Sequence, residues 1–298
     1  MDDDRTDQTQ KETMQVLLRQ GTPEDAESCG AICFEAFKSI AAEHNFPGAF
    51  PSAEVATGLM MRALAHPGIY SVVAESDGKV LGSNFLDERN PIAGIGPITI
   101  DPAVQNQTIG RQLMFDVLAR GAQRGVAGVR LVQSAYNNRS LCLYTKLGFE
   151  TRELLSRLNG DPLGIRFVGY EVRPAVKADI SVCNALCQRV HGYHRGRELE
   201  DAVDQGSARV VEHLGEITAY ATDLSFTGHA VAESNQSLKA LIGAASGFLR
   251  GGFLVPTRNG ELFRWCLQHG LRLVHQMTLM TIGLYNEPAG AYLPSVLY

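Results

Sequence analysis

The sequence predicts a mixed α/β (α+β) chain built as two tandem copies of one domain. Three observations carry this reading. Helical and strand-like stretches alternate along the whole chain, 298 residues suit two domains of about 150 each, and an early pattern returns at mid-chain. Leu18-Arg19 through Asp25, Cys29, Ala31 and Cys33 recurs as Val172-Arg173 through Asp179, Cys183, Ala185 and Cys187, at an offset of 154. Val73, Glu75 and Gly78 then match Val210, Glu212 and Gly215 at an offset of 137, and Asn137 and Gly148 match Asn259 and Gly270 at 122. Repeats on this scale imply two copies of a fold. Each fall in the offset marks a deletion in the second copy, the later one lying where the first copy has a glycine-containing loop and a long helix.

The elements of the first copy follow in order. A strand over Gln15 to Gln20 leads through Thr22, with Pro23 at the first helical position, into a helix reaching about Lys38. Ser52 caps a second helix ending near Ala65. Tyr70 to Glu75 and Lys79 to Asp87 are strands joined by Ser76-Asp77-Gly78, a hairpin turn. A third strand covers Ile92 to Asp101 and stops at Pro102. After a loop come a helix to about Arg124, a strand over Val129 to Gln133, a helix over Asn138 to Leu147 and a strand from Phe149. In the second copy, the stretch between Glu233 and Phe253 is too short for a strand, a phosphate loop and a full helix together.

The loop Gln105-Asn106-Gln107-Thr108-Ile109-Gly110-Arg111 opens a helix. Backbone N–H groups there have no intrahelical partner, and the helix dipole adds to them, so the loop suits a pyrophosphate. Thirty residues on, Asn137, Ser140, Leu143, Tyr144, Lys146, Gly148 and Phe149 spell N-x-x-S-x-x-L-Y-x-K-x-G-F. Together the two motifs resemble the coenzyme A site of the GCN5-related N-acetyltransferases, whose loop reads Q/R-x-x-G-x-G/A. Thr108 departs from that pattern, and Asn106 replaces a frequent glycine. Asn tolerates positive φ better than other non-glycine residues.

The resemblance covers roughly Gln15 to Arg157 and extends to the second copy only as a degraded relative. It implies two tandem acetyltransferase-fold domains, each a mixed, mostly antiparallel sheet flanked by helices. It also implies acetyl-CoA as acyl donor, an amine as acceptor and no metal. Ile98, Thr99 and Ile100 would bond the pantetheine arm from a splayed strand. Gln105, Asn106, Gln107, Thr108, Ile109, Gly110 and Arg111 would hold the pyrophosphate, with Asn137 and Ser140 completing the cofactor set. Tyr144 matches the family's general acid. A thiolate leaves with a pKa near that of cysteine, about 8.5, so a positioned phenol assists by protonating it.

For the base, Gly94, Gly96 and Pro97 stand where a glutamate is expected, which leaves Asp87 and Glu88, acting through water. Phe37 to Pro51, with Glu43, His44, Phe46 and Phe50, would roof the acceptor pocket, and Tyr285 to Tyr298 would dock on a domain surface. Tyr144 maps to Cys266, so the second copy lacks both loop and phenol and is expected not to bind coenzyme A. A non-catalytic acyl-CoA-binding or regulatory module, and a transferase with a longer acyl donor, remain open.

Composition narrows the class. With 45% hydrophobic and 20% charged residues and a net charge of −5, no broad basic face is available for nucleic acid. No apolar run approaches the roughly 20 residues that span a bilayer. The acidic start does not resemble a secretory or transit peptide, so a cytoplasmic setting is the expectation. The six cysteines show no zinc-ribbon spacing and read as reduced and structural, and His191 and His194 lack a third ligand nearby. The expected division is 1–13 disordered, 14–165 catalytic and 166–298 degenerate, with a homodimer left open.

Overall fold

The structure is a computed structural model that describes residues 15–297. The segment expected to be disordered, and Tyr298, lie outside the described residues. The first copy runs β1 (Leu17–Gln20), α1 (Ala26–Glu43), α2 (Ala53–Ala65), β2 (Ile69–Ser76), β3 (Lys79–Asp87), β4 (Ile92–Ile95), β5 (Thr99–Ile100), α3 (Ile109–Arg124), β6 (Gly128–Ser134), α4 (Asn138–Lys146) and β7 (Glu150–Asn159). The second runs β8 (Tyr170–Pro174), α5 (Ile180–His191), α6 (Gly196–Asp204), β9 (Arg209–His213), β10 (Glu216–Ala221), β11 (Ala230–Ala232), α7 (Asn235–Ala244), β12 (Phe253–Pro256), α8 (Gly260–Gln268), β13 (Arg272–Gly283) and β14 (Ala291–Leu293).

The repeated residues do the same work in both copies. Arg19 donates to both Asp25 oxygens at 2.8 Å and to Glu75 at 2.8 Å. Arg173 donates to Asp179 at 2.7 and 3.0 Å and to Glu212 at 2.8 and 2.6 Å. Each aspartate also reaches back to a backbone N–H three residues earlier, Thr22 and Val176, both at 2.9 Å. The motif therefore ties the first strand, the start of the first helix and the following hairpin together in each half.

Two elements differ from expectation. The strand expected over Ile92 to Asp101 is broken, because Pro97 has no N–H for a ladder: β4 pairs β6 in parallel up to Gly94 opposite Arg130, whereas β5 pairs β3. Among the described residues, no pairing of this stretch with β6 continues past Gly94. In the second copy a helix is retained, the ten-residue α7 against sixteen in α3. It follows β11 almost directly, with Ser234 capping it by accepting from the Ser237 N–H.

Helix α3 shows how sequence sets the frame. Ile109, Leu113, Met114, Val117 and Gly121 fall on one stripe and are buried, and the helix ends at Gly125, whose φ of 66° suits glycine. Leu113 is fully buried, so truncating it to Ala would cost about 2–5 kcal/mol.

The copies are interleaved. One sheet runs β1-β2-β3-β4-β6-β13-β7-β12, with β5 on β3, and a second runs β14-β11-β10-β9-β8. Strand β13, from the second copy, lies between β6 and β7 of the first, and β12 adds to the outer side of β7. The residues of β13 explain this placement. Met277 and Leu279 bury into one apolar cluster and Met280 into another on the opposite face, as a strand covered on both sides requires. Nearer the C-terminus, β14 pairs with β11, and Gly94 leaves room for the Leu297 carbonyl, which an added Cβ would overlap. The C-terminal segment thus docks within the protein, its strand covering the edge of β11.

Candidate functional site

A groove of about 470 Å³ opens where β5, the loop before α3, the start of α4 and the last turns of α1 meet. Ile98, Thr99, Ile100, Gln105, Asn106, Thr108, Ile109, Gly110, Arg111, Asn137, Ser140 and Tyr144 all line it. Of the expected cofactor residues, Gln107 does not. Sequence positions more than 40 apart are brought to one site, where the pairing of β4 with β6 has ended and β5 continues on β3.

The loop is held in a defined shape. Gln105 donates through Nε2 to the Ile100 carbonyl at 3.2 Å. Arg139, at the start of α4, donates to the side-chain oxygens of Asn106, at 3.3 Å, and Gln105. Asn106 and Thr108 both adopt left-handed backbone, with φ of 70° and 66°. For Asn this is tolerated, whereas a β-branched residue there stores strain of order 1–3 kcal/mol. Gly110 allows α3 to approach β5, since a Cβ would come within 2.9 Å of Ile100 Cδ1. Thr99 Oγ1 is buried and finds no hydrogen-bond partner among the described residues, and such an atom favours a polar ligand. These features fit the polar arm and phosphates of a coenzyme A thioester.

Tyr144 is 6% exposed, and burial pushes its phenol up to about 12. It therefore keeps its proton across the physiological range, as an acid must. Asn137 accepts from the Ser140 N–H at 3.0 Å, capping α4 at the edge of the groove.

The two carboxylates expected to act as base lie elsewhere. Asp87 accepts from Arg89 at 2.9 and 2.5 Å, and Arg89 reaches on to Asp201 of α6 at 2.6 Å. Glu88 accepts from Arg120 at 2.9 and 2.7 Å. Both ends of these pairs hold helices to the sheet, and neither carboxylate lines the groove. Glu43 and His44, from the expected acceptor roof, do line it. His44 Nδ1 lies 3.0 Å from the Ile40 carbonyl. With Nδ1–H donating there, the lone pair is left on Nε2.

On the sheet face away from α3, the rings of Phe46 and Tyr136 stack at 4.4 Å, and His44 lies 5.2 Å from Tyr136. His275 of β13 meets both stacked rings edge-on, at 6.0 and 5.7 Å. Neither Tyr136 nor His275 stands out in sequence. Tyr136 does adjoin the Asn137 motif, but His275 reaches this place only through the pairing of distant strands.

Among the described residues no cluster of three His, Cys, Asp or Glu could hold a metal ion, and no helix is long and apolar enough to cross a membrane. All six cysteines are free and five are buried. Cys142 is exposed on α4, so a core role does not extend to it.

The second copy differs at the corresponding place. Strand β14 covers β11, and the starts of α7 and α8 are stitched together by Asn235 and Asn259, which exchange hydrogen bonds at 3.1 and 2.7 Å. Cys266, at the position equivalent to Tyr144, is fully buried.

Residues 36–149 match the acetyltransferase (GNAT) family. A 75-residue stretch is 40% identical to the mycothiol acetyltransferase of Nocardia farcinica (strain IFM 10152), covering 24% of this chain and 25% of that protein. The match thus spans a quarter of that relative's length. A Pyrococcus horikoshii protein of proposed acetyltransferase function superposes with a TM-score of 0.72 at 21% identity, over 93% of this chain and 92% of its own. A tandem GNAT protein from the clavulanic acid biosynthesis pathway does so with a TM-score of 0.55 at 14% identity, over 90% and 98%. These two likenesses, spanning both halves, establish a tandem fold.

Proposed function

We infer that this chain, which carries a GNAT acetyltransferase domain at residues 36–149, transfers an acetyl group from acetyl-CoA to a primary amine at one site in its N-terminal half. The observation that carries the reading is the convergence of the loop before α3, the strand β5 and Tyr144 on one groove. Backbone N–H groups at Ile109 and Gly110 and the side chain of Arg111 would receive the pyrophosphate, and β5 would bond the pantetheine arm.

The chemistry then follows from the groove's own residues. The neutral amine attacks the thioester carbonyl, the C–N bond forms and the C–S bond breaks. Tyr144 supplies a proton to the departing sulfur. The proton lost by the amine needs an acceptor, and Asp87 and Glu88 are engaged by arginines outside the groove. His44 and Glu43 line it, and imidazole is the side-chain type best suited to take a proton near neutral pH. We therefore place that role on His44. The C-terminal half would bind no acetyl-CoA and would complete the sheet around the N-terminal site.

Release of thiol from acetyl-CoA, followed over a panel of primary amines, tests the reading. Turnover with at least one amine is expected. Thermal stabilisation by acetyl-CoA without turnover would instead favour a non-catalytic acyl-CoA-binding module.

A further inference from the structure

Helix α1 ends against the electrostatics of its own backbone. Its last residue is Glu43, a carboxylate at the end where the helix dipole is negative and where a lysine or arginine would be favourable. No basic side chain offsets it in that last turn, and Lys38 leans back to Glu35 at 3.4 Å. Glu43 accepts from the Ser39 hydroxyl at a long 3.5 Å, and among the described residues no lysine or arginine forms an ion pair with it. Asp25, Asp87, Glu88 and Asp179, by contrast, are all held by arginines. A local rule broken with no compensating contact is expected at a functional position.

Glu43 lines the groove, and it is the one carboxylate among the described lining residues. The charges there are separated. Arg111 and Arg139 stand with the starts of α3 and α4, whereas Glu43 and His44 stand at the end of α1. We propose that Glu43 binds a second, protonated amine on the acceptor. The acceptor class is then a diamine, or another amine carrying a cationic group a few methylenes from the reacting nitrogen. The assignment rests on the acetyltransferase reading and names the acceptor class within it.

The neighbouring residues agree with such a ligand. His44, to which the proton of the reacting amine is assigned, follows Glu43 directly in the chain and lines the same groove. One short molecule can therefore set a neutral amine at the imidazole and an ammonium at the carboxylate. Phe37 and Ile40, on the preceding turns of α1, also line the groove and offer an apolar wall to the methylenes between the two nitrogens. The phosphates of bound acetyl-CoA would occupy the arginine end and add negative charge to the groove. That charge favours a cationic acceptor and disfavours an amine bearing a carboxylate. An ammonium at Glu43 also supplies the positive charge that the end of α1 lacks.

The test compares wild type with Glu43→Gln, which keeps the shape and removes the charge, and Glu43→Asp, which keeps the charge. Steady-state kinetics are measured with ethylenediamine, putrescine and cadaverine, and with propylamine as the amine lacking a second cation. Wild type is expected to favour the best diamine over propylamine in kcat/KM. Glu43→Gln should cut that preference roughly tenfold through the diamine KM, as loss of one charge-assisted hydrogen bond allows. The KM for acetyl-CoA stays unchanged and Glu43→Asp keeps part of the preference. Glu43→Gln melts no lower than wild type, because the charge opposing the helix dipole is gone. A wild type without preference for any diamine, a preference unchanged in Glu43→Gln, or a matching rise in the acetyl-CoA KM overturns this assignment alone. Absence of wild-type turnover with every amine overturns the acetyltransferase reading and this assignment with it.

Discussion

Asn137 and Asn259 hold the same position in the two copies and cap the helix that follows in the same way. Asn137 accepts from the Ser140 N–H at 3.0 Å and Asn259 from the Leu262 N–H at 3.3 Å. Their remaining contacts separate them: Asn137 borders an open groove, whereas Asn259 exchanges hydrogen bonds with Asn235. Replacing either by Ala should cost about 1 kcal/mol through loss of the cap. Only Asn137→Ala should also weaken acetyl-CoA, as thermal shift with and without acetyl-CoA would show. Equal effects of the two variants on binding would contradict the distinction.

Tyr144→Phe should lower kcat on the order of 10²-fold, the scale of one general acid. Packing should survive, since the ring is buried in the apolar cluster beside Phe149 and only the hydroxyl is removed. Acetyl-CoA affinity should therefore remain near wild type, and calorimetric titration beside initial rates checks both. A parallel fall in affinity and rate would assign the tyrosine to binding.

Thr108 sits at a φ of 66° at the start of α3. Thr108→Gly should relieve left-handed strain worth about 1 kcal/mol or more, offset in part by glycine's greater freedom when unfolded. Chemical denaturation should find it no less stable than wild type, while Thr108→Val, with the same branching and no hydroxyl, should gain nothing. A marked loss in the glycine variant would show that the Thr108 side chain supports the loop.

The paired arginine clusters give stability an acid limit. Hydrogen bonds from Arg19 and Arg173 hold the Asp25 and Asp179 carboxyls below their usual range. With the folded pKa below an unfolded value of about 3.9, this contribution is present above that pH and disappears as pH falls through the folded values. Asp25→Asn should lower stability at pH 7 by about 1–3 kcal/mol, as removal of a charged hydrogen-bond partner does. The deficit should shrink below about pH 4. Melting curves of variant and wild type over pH 3 to 7 would check this, and a deficit independent of pH would contradict it.

Much of this arrangement was legible in the chain because it is local or repeated. Arg19, Asp25 and Glu75 recur as Arg173, Asp179 and Glu212 and make the same contacts. The loop before α3 and the Asn137 motif converge as their types suggest. The break at Pro97 was missed, although proline interrupts a ladder: one strand was expected over Ile92 to Asp101. What was hidden depends on pairing between distant segments. The largely apolar run Met277 to Ile282 of β13 suits a strand buried on both faces but does not say which strands flank it. Its place between β6 and β7, and with it the position of His275, follows from tertiary packing. Asp87 and Glu88 had suitable chemistry for a base, yet Arg89, only two residues from Asp87, and Arg120, brought to Glu88 from α3, engage them.

A single acetyl-CoA site, in the first copy, would leave a confined footprint on binding. Hydrogen exchange of the full chain with and without saturating acetyl-CoA tests it directly. The expected result is protection confined to the strand at Ile98 to Ile100, the loop from Gln105 to Arg111 and the start of α4, with Ser234 to Lys239 and Asn259 to Leu262 unchanged. Equal protection at the starts of α7 and α8, or none around Gln105 to Arg111, would contradict it.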